Sequence, residues 1–280
     1  MSEIRVDDLL YWIVERHNIL EHRVNHDPKP WTQDKILQSY RFCNVYRELD
    51  KVTVWITQNI RTPHATHPDL WFNLCIARLI NLPESLGQLG FFHEWNPNRF
   101  ITTLHARRAD GLNFMNSAYI VSTNGVAMDK ATYLADRVLT PLWNDRASLR
   151  PQRGDSLGTF ANKLNKHIGM GTFLTGQVVA DLKYVEPLKS ADDWWTWAMP
   201  GPGSKRGLNR VMGRPKDAPW GKEWHKMLLM LGDLLAPKLD KAGLKPLHAQ
   251  DLQNCLCEFD KYQRVLLGEG TPKNTYPGAK

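Results

Sequence analysis

The chain has 280 residues, enough for one large domain or two small ones with a real core. Lys+Arg 36 against Asp+Glu 29 leave a net charge of +7; that excess fits a nucleic-acid or polyphosphate partner, and equally a soluble protein that happens to be basic. Cys43, Cys75, Cys255 and Cys257 are too few and too scattered for a disulfide framework, and Cys255-x-Cys257 lacks zinc-pair spacing, so a reducing cytoplasm is expected.

Helical periodicity dominates. The opening MSEIRVDDLL has no basic stretch followed by an apolar one, so no signal peptide is expected, and no apolar run reaches bilayer length, so no membrane partner is expected. Val6, Leu9, Leu10, Ile13, His17 and Leu20 recur at three- and four-residue steps. Thr32 is placed to cap a helix running through Leu49. Further helices are expected near 51–61, 69–80, 97–108, 112–121, 129–139, 157–166, 170–184, 191–198, 204–212, 221–240 and 248–267. The best strand candidate is the short YIVST at Tyr119–Thr123, which equally suits a helix end. Residues 143–154 and 213–221 read as loops, and the tail after Gly268 as extended. Most of the 11 tryptophans suit a core, with one or two able to stack on a base. The fold is expected to be mainly α and a single domain over 1–280, with a sub-division into 1–150 and 151–280.

Four stretches carry side chains suited to chemistry. The first is WAMPGPGSKRGLNRVMG, from Trp197 to Gly213. Gly201 and Gly203 would let backbone N–H groups approach a phosphate, and Ser204 opens a helix whose N-terminal dipole favours an anion. Lys205, Arg206 and Arg210 follow. The alternative is an ordinary turn between packed helices. The second is HAQDLQNCLCEFDKYQRVLLG. Leu252, Leu256, Phe259 and Leu266 share one face. Asp251, Asn254, Glu258 and Lys261 form a second flank, and Gln253, Asp260 and Arg264 a third. Three carboxylates so close together make this the best place for a general base; the alternative is a solvated helix with ion pairs. The third holds Gln177 and Asp181, four apart beside an apolar stripe, lining a pocket or tying helices together. In the fourth, YRFCNVYRELD, Arg41, Asn44 and Glu48 would share a helix face with Arg47 beside it, gripping a phosphate or forming salt bridges. His64-Ala-Thr-His67 is discounted as a metal site, and no P-loop, His-Glu-x-x-His, Gly-x-Ser-x-Gly or Rossmann fingerprint is present.

The hairpin resembles the L-P-G-V-G-x-x-T-A turn of the helix-hairpin-helix DNA glycosylases. Phe259–Gly268 is similar to the helix that carries their catalytic aspartate, with Asp260 and Arg264 at the matching positions. The match departs from those enzymes in the long gap between the two segments and in lacking the lysine nucleophile of the bifunctional members. Taken together, PWTQDKILQSYRFCNVYRELDKVT, INLPESLG, GTFLTGQVVADLKY, DWWTWAMPGPGSKRGLNRV and HAQDLQNCLCEFDKY resemble the phage amino acid:DNA transferases, the α-glutamyl/putrescinyl thymine pyrophosphorylases. The YRFCNVYRELD block also looks like the helical domain attached to phage 5-hydroxymethyluracil DNA kinases. The resemblance implies a helix-hairpin-helix glycosylase-like helical fold. It also implies an enzyme that replaces the pyrophosphate of 5-(pyrophosphoryloxymethyl)uracil in double-stranded DNA with an amine from a free amino acid or polyamine. The target base would leave the stack to be reached. Asp260 is then the first choice of base, followed by Asp181, Asp251 and Glu258. Arg41, Asn44, Arg47, Gln177, Asn254 and Lys261 would bind pyrophosphate or the amine donor. Gly201, Gly203, Ser204, Lys205, Arg206 and Arg210 would hold the DNA backbone. No cofactor is demanded, although Mg²⁺ can accompany the pyrophosphate. A 5-hydroxymethyluracil DNA kinase is an expected partner. A true glycosylase and a non-catalytic DNA-binding module remain as alternatives.

Overall fold

The computed structural model describes residues 4–116, 122–123, 125–272 and 275–276. The chain is mainly helical. Among the described residues there is no strand, only an isolated antiparallel bridge between Tyr40 and Thr275. The strand candidate at Tyr119–Thr123 lies largely outside the described residues. No described helix is long and apolar enough to cross a membrane.

In chain order, α1 (Val6–Val24) and α2 (Lys35–Ser39) come first. A middle series follows: α3 (Lys51–Ile56, widening into a π turn at Thr57–Arg61), α4 (Leu70–Ile80), α5 (Pro83–Leu89), α6 (Pro97–Ala109), α7 (Lys130–Tyr133, again widening at Leu134–Leu139), α8 (Thr140–Asn144), α9 (Arg146–Leu149), α10 (Leu157–Leu164) and α11 (Thr172–Leu182). The chain closes on α12 (Pro202–Val211), α13 (Glu223–Lys241) and α14 (Ala249–Leu266).

These helices form two units. Unit 1 joins the two ends of the chain, Met1–Asp50 and Ala198–Lys280; unit 2 is the continuous segment Lys51–Trp197. The sub-division expected at residue 150 falls inside unit 2. The reason lies in the apolar faces: Leu9, Trp12 and Ile13 of α1 pack with Leu208 of α12, Leu228, Leu231 and Leu235 of α13, and Leu252, Leu256 and Phe259 of α14. An amphipathic helix must bury its stripe, whatever the sequence separation of its partner. Leu266, expected on the same face, is exposed. In unit 2, α4 is buried along its whole length, and the aromatic rings of Phe72, Phe92, Trp95, Phe100 and Trp143 meet edge-on or tilted.

Three expected helices differ. The helix from Thr32 to Leu49 stops at Ser39. Asp34, not Thr32, caps it, accepting from the N–H of Ile36 at 2.8 Å and of Leu37 at 3.0 Å. Residues 40–46 are extended because side chains of α1 and α14 take up their backbone groups. Residues 192–196 form turns, not a helix: the Asp193 carboxylate accepts from Leu157 N at 2.7 Å and Gly158 N at 2.9 Å, and Trp194 Nε1 donates to Lys183 O at 2.6 Å. Residues 112–116 are not helical, and the rest of the expected helix to 121 lies outside the described residues. Conversely, α9 occupies part of the loop expected at 143–154, and α5, with Pro83 at its first turn, was missed.

Candidate functional site

The glycine-rich turn leads straight into α12, which packs against α14. Gly201 is the N-cap, and Pro202 fits the first turn, where no N–H partner is needed. Ser204 is fully buried. Its hydroxyl accepts from Gly201 N and donates to Gly201 O, both at 3.0 Å, so it is engaged in capping. A Cβ on Gly203 would lie 2.5 Å from Cys257 Sγ, and one on Gly207 only 2.0 Å from Leu256 O. These glycines therefore set the distance between two helices. Gly201 has open space around it, and of the expected backbone-holding glycines it alone keeps room for a phosphate.

The cations of α12 turn inward. Arg206 Nε donates to Asp260 Oδ2 and Arg210 Nε to Asp260 Oδ1, each at 2.9 Å, while Arg264 Nε stands 3.8 Å away. Asp260 is 1% exposed. Its two oxygens are thus both held by guanidinium groups. Lys205 is half-buried, and its carbonyl accepts from Trp220 Nε1 at 3.1 Å.

The second flank of α14 meets segment 41–50, which includes a single 3-10 turn at Arg47–Leu49, joining blocks more than two hundred residues apart. Glu258 Oε2 accepts from Cys43 N at 2.9 Å and from Lys261 Nζ at 2.5 Å. Lys261 also donates to Arg41 O at 3.0 Å, and its ammonium lies over the Phe42 ring at 4.6 Å. Asn254 Nδ2 donates to Asn44 O at 3.3 Å, and Asp251 Oδ1 accepts from Arg47 N at 3.0 Å. Asn44 is buried: its N–H goes to Asp50 Oδ1 at 2.8 Å, its amide to Leu49 O at 2.6 Å, and its carbonyl oxygen takes Arg16. Arg16 also donates to Phe42 O at 3.1 Å. Burial lifts the Asp50 carboxyl above the usual carboxylate range, against the Asn44 N–H and the charges of Arg47 and Arg16. Burial likewise lowers Arg16 from its usual value.

Arg41, Asn44, Arg47, Asp251, Asn254, Glu258 and Lys261 are thus brought next to one another, though not on two facing helices. Asn44 and Arg47 are buried, while Arg41 and Cys43 are exposed at the edge. Asp251 is buried beside His248, whose Nδ1 accepts from Asp251 N at 3.1 Å. Glu258 is buried like the other carboxylates of this helix, but it is bonded to Cys43, which is at an exposed position.

Asp181 and Gln177 belong to unit 2. Asp181 is fully buried, and Arg78 of α4 donates Nε and Nη2 to its two oxygens at 2.5 Å each. Arg78 also reaches Asn81 Oδ1 at 3.3 Å and Thr53 Oγ1 at 3.0 Å. Asp181 is therefore the charge partner of a buried arginine, while Gln177 on the same helix is half-buried. Sequence reasoning missed Arg78 and Arg16. For Arg78 the available signal was an arginine inside an apolar helical run, LWFNLCIARLI, which requires a buried partner. His64, His67 and His93 gather around Phe91, His64 stacked on it at 3.7 Å. Among the described residues no group of three or more His, Cys, Asp or Glu is placed to hold a metal ion.

The sequence matches, over residues 3–271, the family described as 5-hmdU DNA kinase, helical domain. The chain belongs to this family. It is also 26% identical, over 284 residues, to the 5-hmdU DNA kinase of Bacillus phage SP10, a match covering 89% of this chain and 43% of that protein. The chain thus spans less than half the length of that relative. No solved structure matches it.

Proposed function

We propose that this helical-domain protein acts on DNA in phage thymine hypermodification, exchanging the pyrophosphate of 5-(pyrophosphoryloxymethyl)uracil for an amine. A named 5-hmdU DNA kinase is similar over most of this chain, and such a kinase would supply the phosphorylated base. This chain has no P-loop of its own. Its partners would be double-stranded DNA carrying the modified thymine, a free amino acid or polyamine, and the kinase, in the host cytoplasm. The helix-hairpin-helix reading rests on the turn at 200–204 with α12 and α14, the preceding helix being replaced by turns.

The observation that carries the reading is the flank Asn254, Glu258 and Lys261 set against exposed Arg41 and Cys43. In the reaction a carboxylate takes a proton from the donor ammonium. The freed nitrogen forms a bond to the exocyclic methylene carbon as the carbon–oxygen bond breaks, and pyrophosphate leaves. Glu258 suits the base, Lys261 neutralises it in the resting state, and Arg41 suits the pyrophosphate. Asp181 and Asp251 are committed to buried partners and Asp260 to two guanidinium groups, and Mg²⁺, where used, would arrive with the pyrophosphate.

The test is nucleoside mass spectrometry of DNA bearing the pyrophosphorylated base, incubated with amino acids and putrescine. An amine-adducted thymidine is expected from the parent protein, reduced about a hundredfold or more in Glu258→Gln with an unchanged melting temperature. A released base would make the protein a glycosylase. A second reading, a DNA-binding module serving a separate kinase, is favoured by the chain matching only 43% of the kinase. Unchanged DNA with every donor, together with retained DNA binding, would select it.

A further inference from the structure

Unit 1 contains a cavity of about 270 Å³ that the transfer reaction does not use. It lies where the start of α1, the loop after α12 and the C-terminal end of α14 meet. Arg5, Arg210, Arg214 and Lys216 line it, against only two carboxylates, Asp8 and Glu269. Its volume is near the lower end of small-ligand pockets, about 300 Å³.

Each cation is held in a different way. Arg214 lies over the Trp220 ring at 3.7 Å and donates Nη2 to Pro219 O at 2.9 Å, so its charge is positioned by an aromatic face and a carbonyl. Arg5 is exposed, its backbone N–H pinned to Val211 O at 2.7 Å. Arg210 keeps Nε on Asp260 and turns Nη2 to Glu269 Oε2 at 2.6 Å; Lys216 Nζ reaches the same oxygen at 3.1 Å. That oxygen sits where a small oxyanion would sit, between two converging cations.

Glu269 is placed there by the end of α14. Its N–H donates to Arg264 O at 2.7 Å, and Gly268 before it has φ 68, the left-handed geometry of a helix C-cap. The main chain is therefore fixed, while the side chain is held at its tip by two cations. The Arg210 hydrogen bond, helped by Lys216, holds the carboxyl down at about 2, as a bound anion would be held.

We propose that this cavity is a phosphate-binding site, in which the Glu269 carboxylate is a tethered occupant that an incoming phosphate or pyrophosphate displaces. The oxyanion could come from the DNA backbone or from free pyrophosphate; both present the same oxygens to the same cations. The site is lined by neither Glu258 nor Cys43, although Phe259 beside Glu258 contributes to its wall, and it does not depend on the transfer reaction.

The test uses the full chain and its Glu269→Gln, Lys216→Gln and Arg5→Gln variants, all at exposed positions. Binding of inorganic pyrophosphate is measured by calorimetry and of an unmodified duplex by fluorescence anisotropy, with thermal melts as folding controls. Glu269→Gln should tighten phosphate binding roughly fivefold, and the other two should each weaken it roughly threefold. A change in pyrophosphate affinity assigns the free anion. A change confined to the duplex, with the salt slope lowered by about one in Lys216→Gln, assigns the DNA backbone. If all three variants melt like the parent and neither affinity moves, the cavity is an internal ion-pair cluster and the proposal fails.

Discussion

Asp181 and Asp260 both meet arginines, but their surroundings set different costs for losing the charge. Asp181 and Arg78 are 0% and 3% exposed at their side chains, so Asp181→Asn would strand a guanidinium with no water to replace the carboxylate. A loss of about 3–5 kcal/mol is expected. Asp260 is equally buried, but its partner Arg206 is 32% exposed, and water can take over part of the lost contact. Asp260→Asn should cost less, about 2 kcal/mol. Urea unfolding of both variants measures the order. If Asp181→Asn leaves stability intact and removes activity, then Asp181 is a base and not a structural anchor. The same logic singles out Glu258, whose partners Lys261 and the Cys43 N–H lie at the edge of the fold and can be solvated when it changes.

At the level of helices, the spacing of Gly203 and Gly207 decides how α12 meets α14. Gly207→Ala would put a methyl group 2.0 Å from the Leu256 carbonyl oxygen. Backbone cannot swing away, so the helices must separate, at a cost of about 3 kcal/mol. Gly203→Ala meets Cys257 Sγ at 2.5 Å, an atom that can change rotamer, and should cost about 1 kcal/mol. Gly201→Ala meets nothing and should leave stability within about 0.5 kcal/mol while weakening DNA binding if the turn holds phosphate. Guanidinium melts of the three variants, beside duplex affinity, test the order; equal costs would overturn it. The sequence made α14 legible because its period is long and unbroken, and its polar flank marked Asn254, Glu258 and Lys261 correctly as neighbours. It did not reveal what that flank faces, because residues 40–46 look helical by period and are held out of a helix by hydrogen bonds from Arg16 of α1 and from a helix two hundred residues away. The glycines were legible as sites of close approach, but the approaching group is a helix backbone, and nothing local distinguishes that from a phosphate.

For the molecule as a whole, the consequence of building unit 1 from both chain ends is that neither end suffices alone. Leu9, Trp12 and Ile13 are each 0% exposed within the core that α12, α13 and α14 share. At about 1.5–3 kcal/mol for each such side chain buried, removing α1 forfeits roughly 5–9 kcal/mol. That is comparable to the entire stability of an ordinary domain, about 5–15 kcal/mol. Unit 2 is different: residues 51–197 are continuous, with their own buried aromatic rings and the Arg78–Asp181 pair. Expressed alone, 51–197 should therefore give a cooperative thermal transition by circular dichroism. Residues 198–280 alone should not, and should regain one only when a peptide of residues 1–50 is added. The peptide's effect should saturate at one equivalent, because α1 contributes a single stripe. A cooperative melt of 198–280 without the peptide would mean that the α12–α14 contact carries the unit by itself, and that α1 merely covers a core already complete.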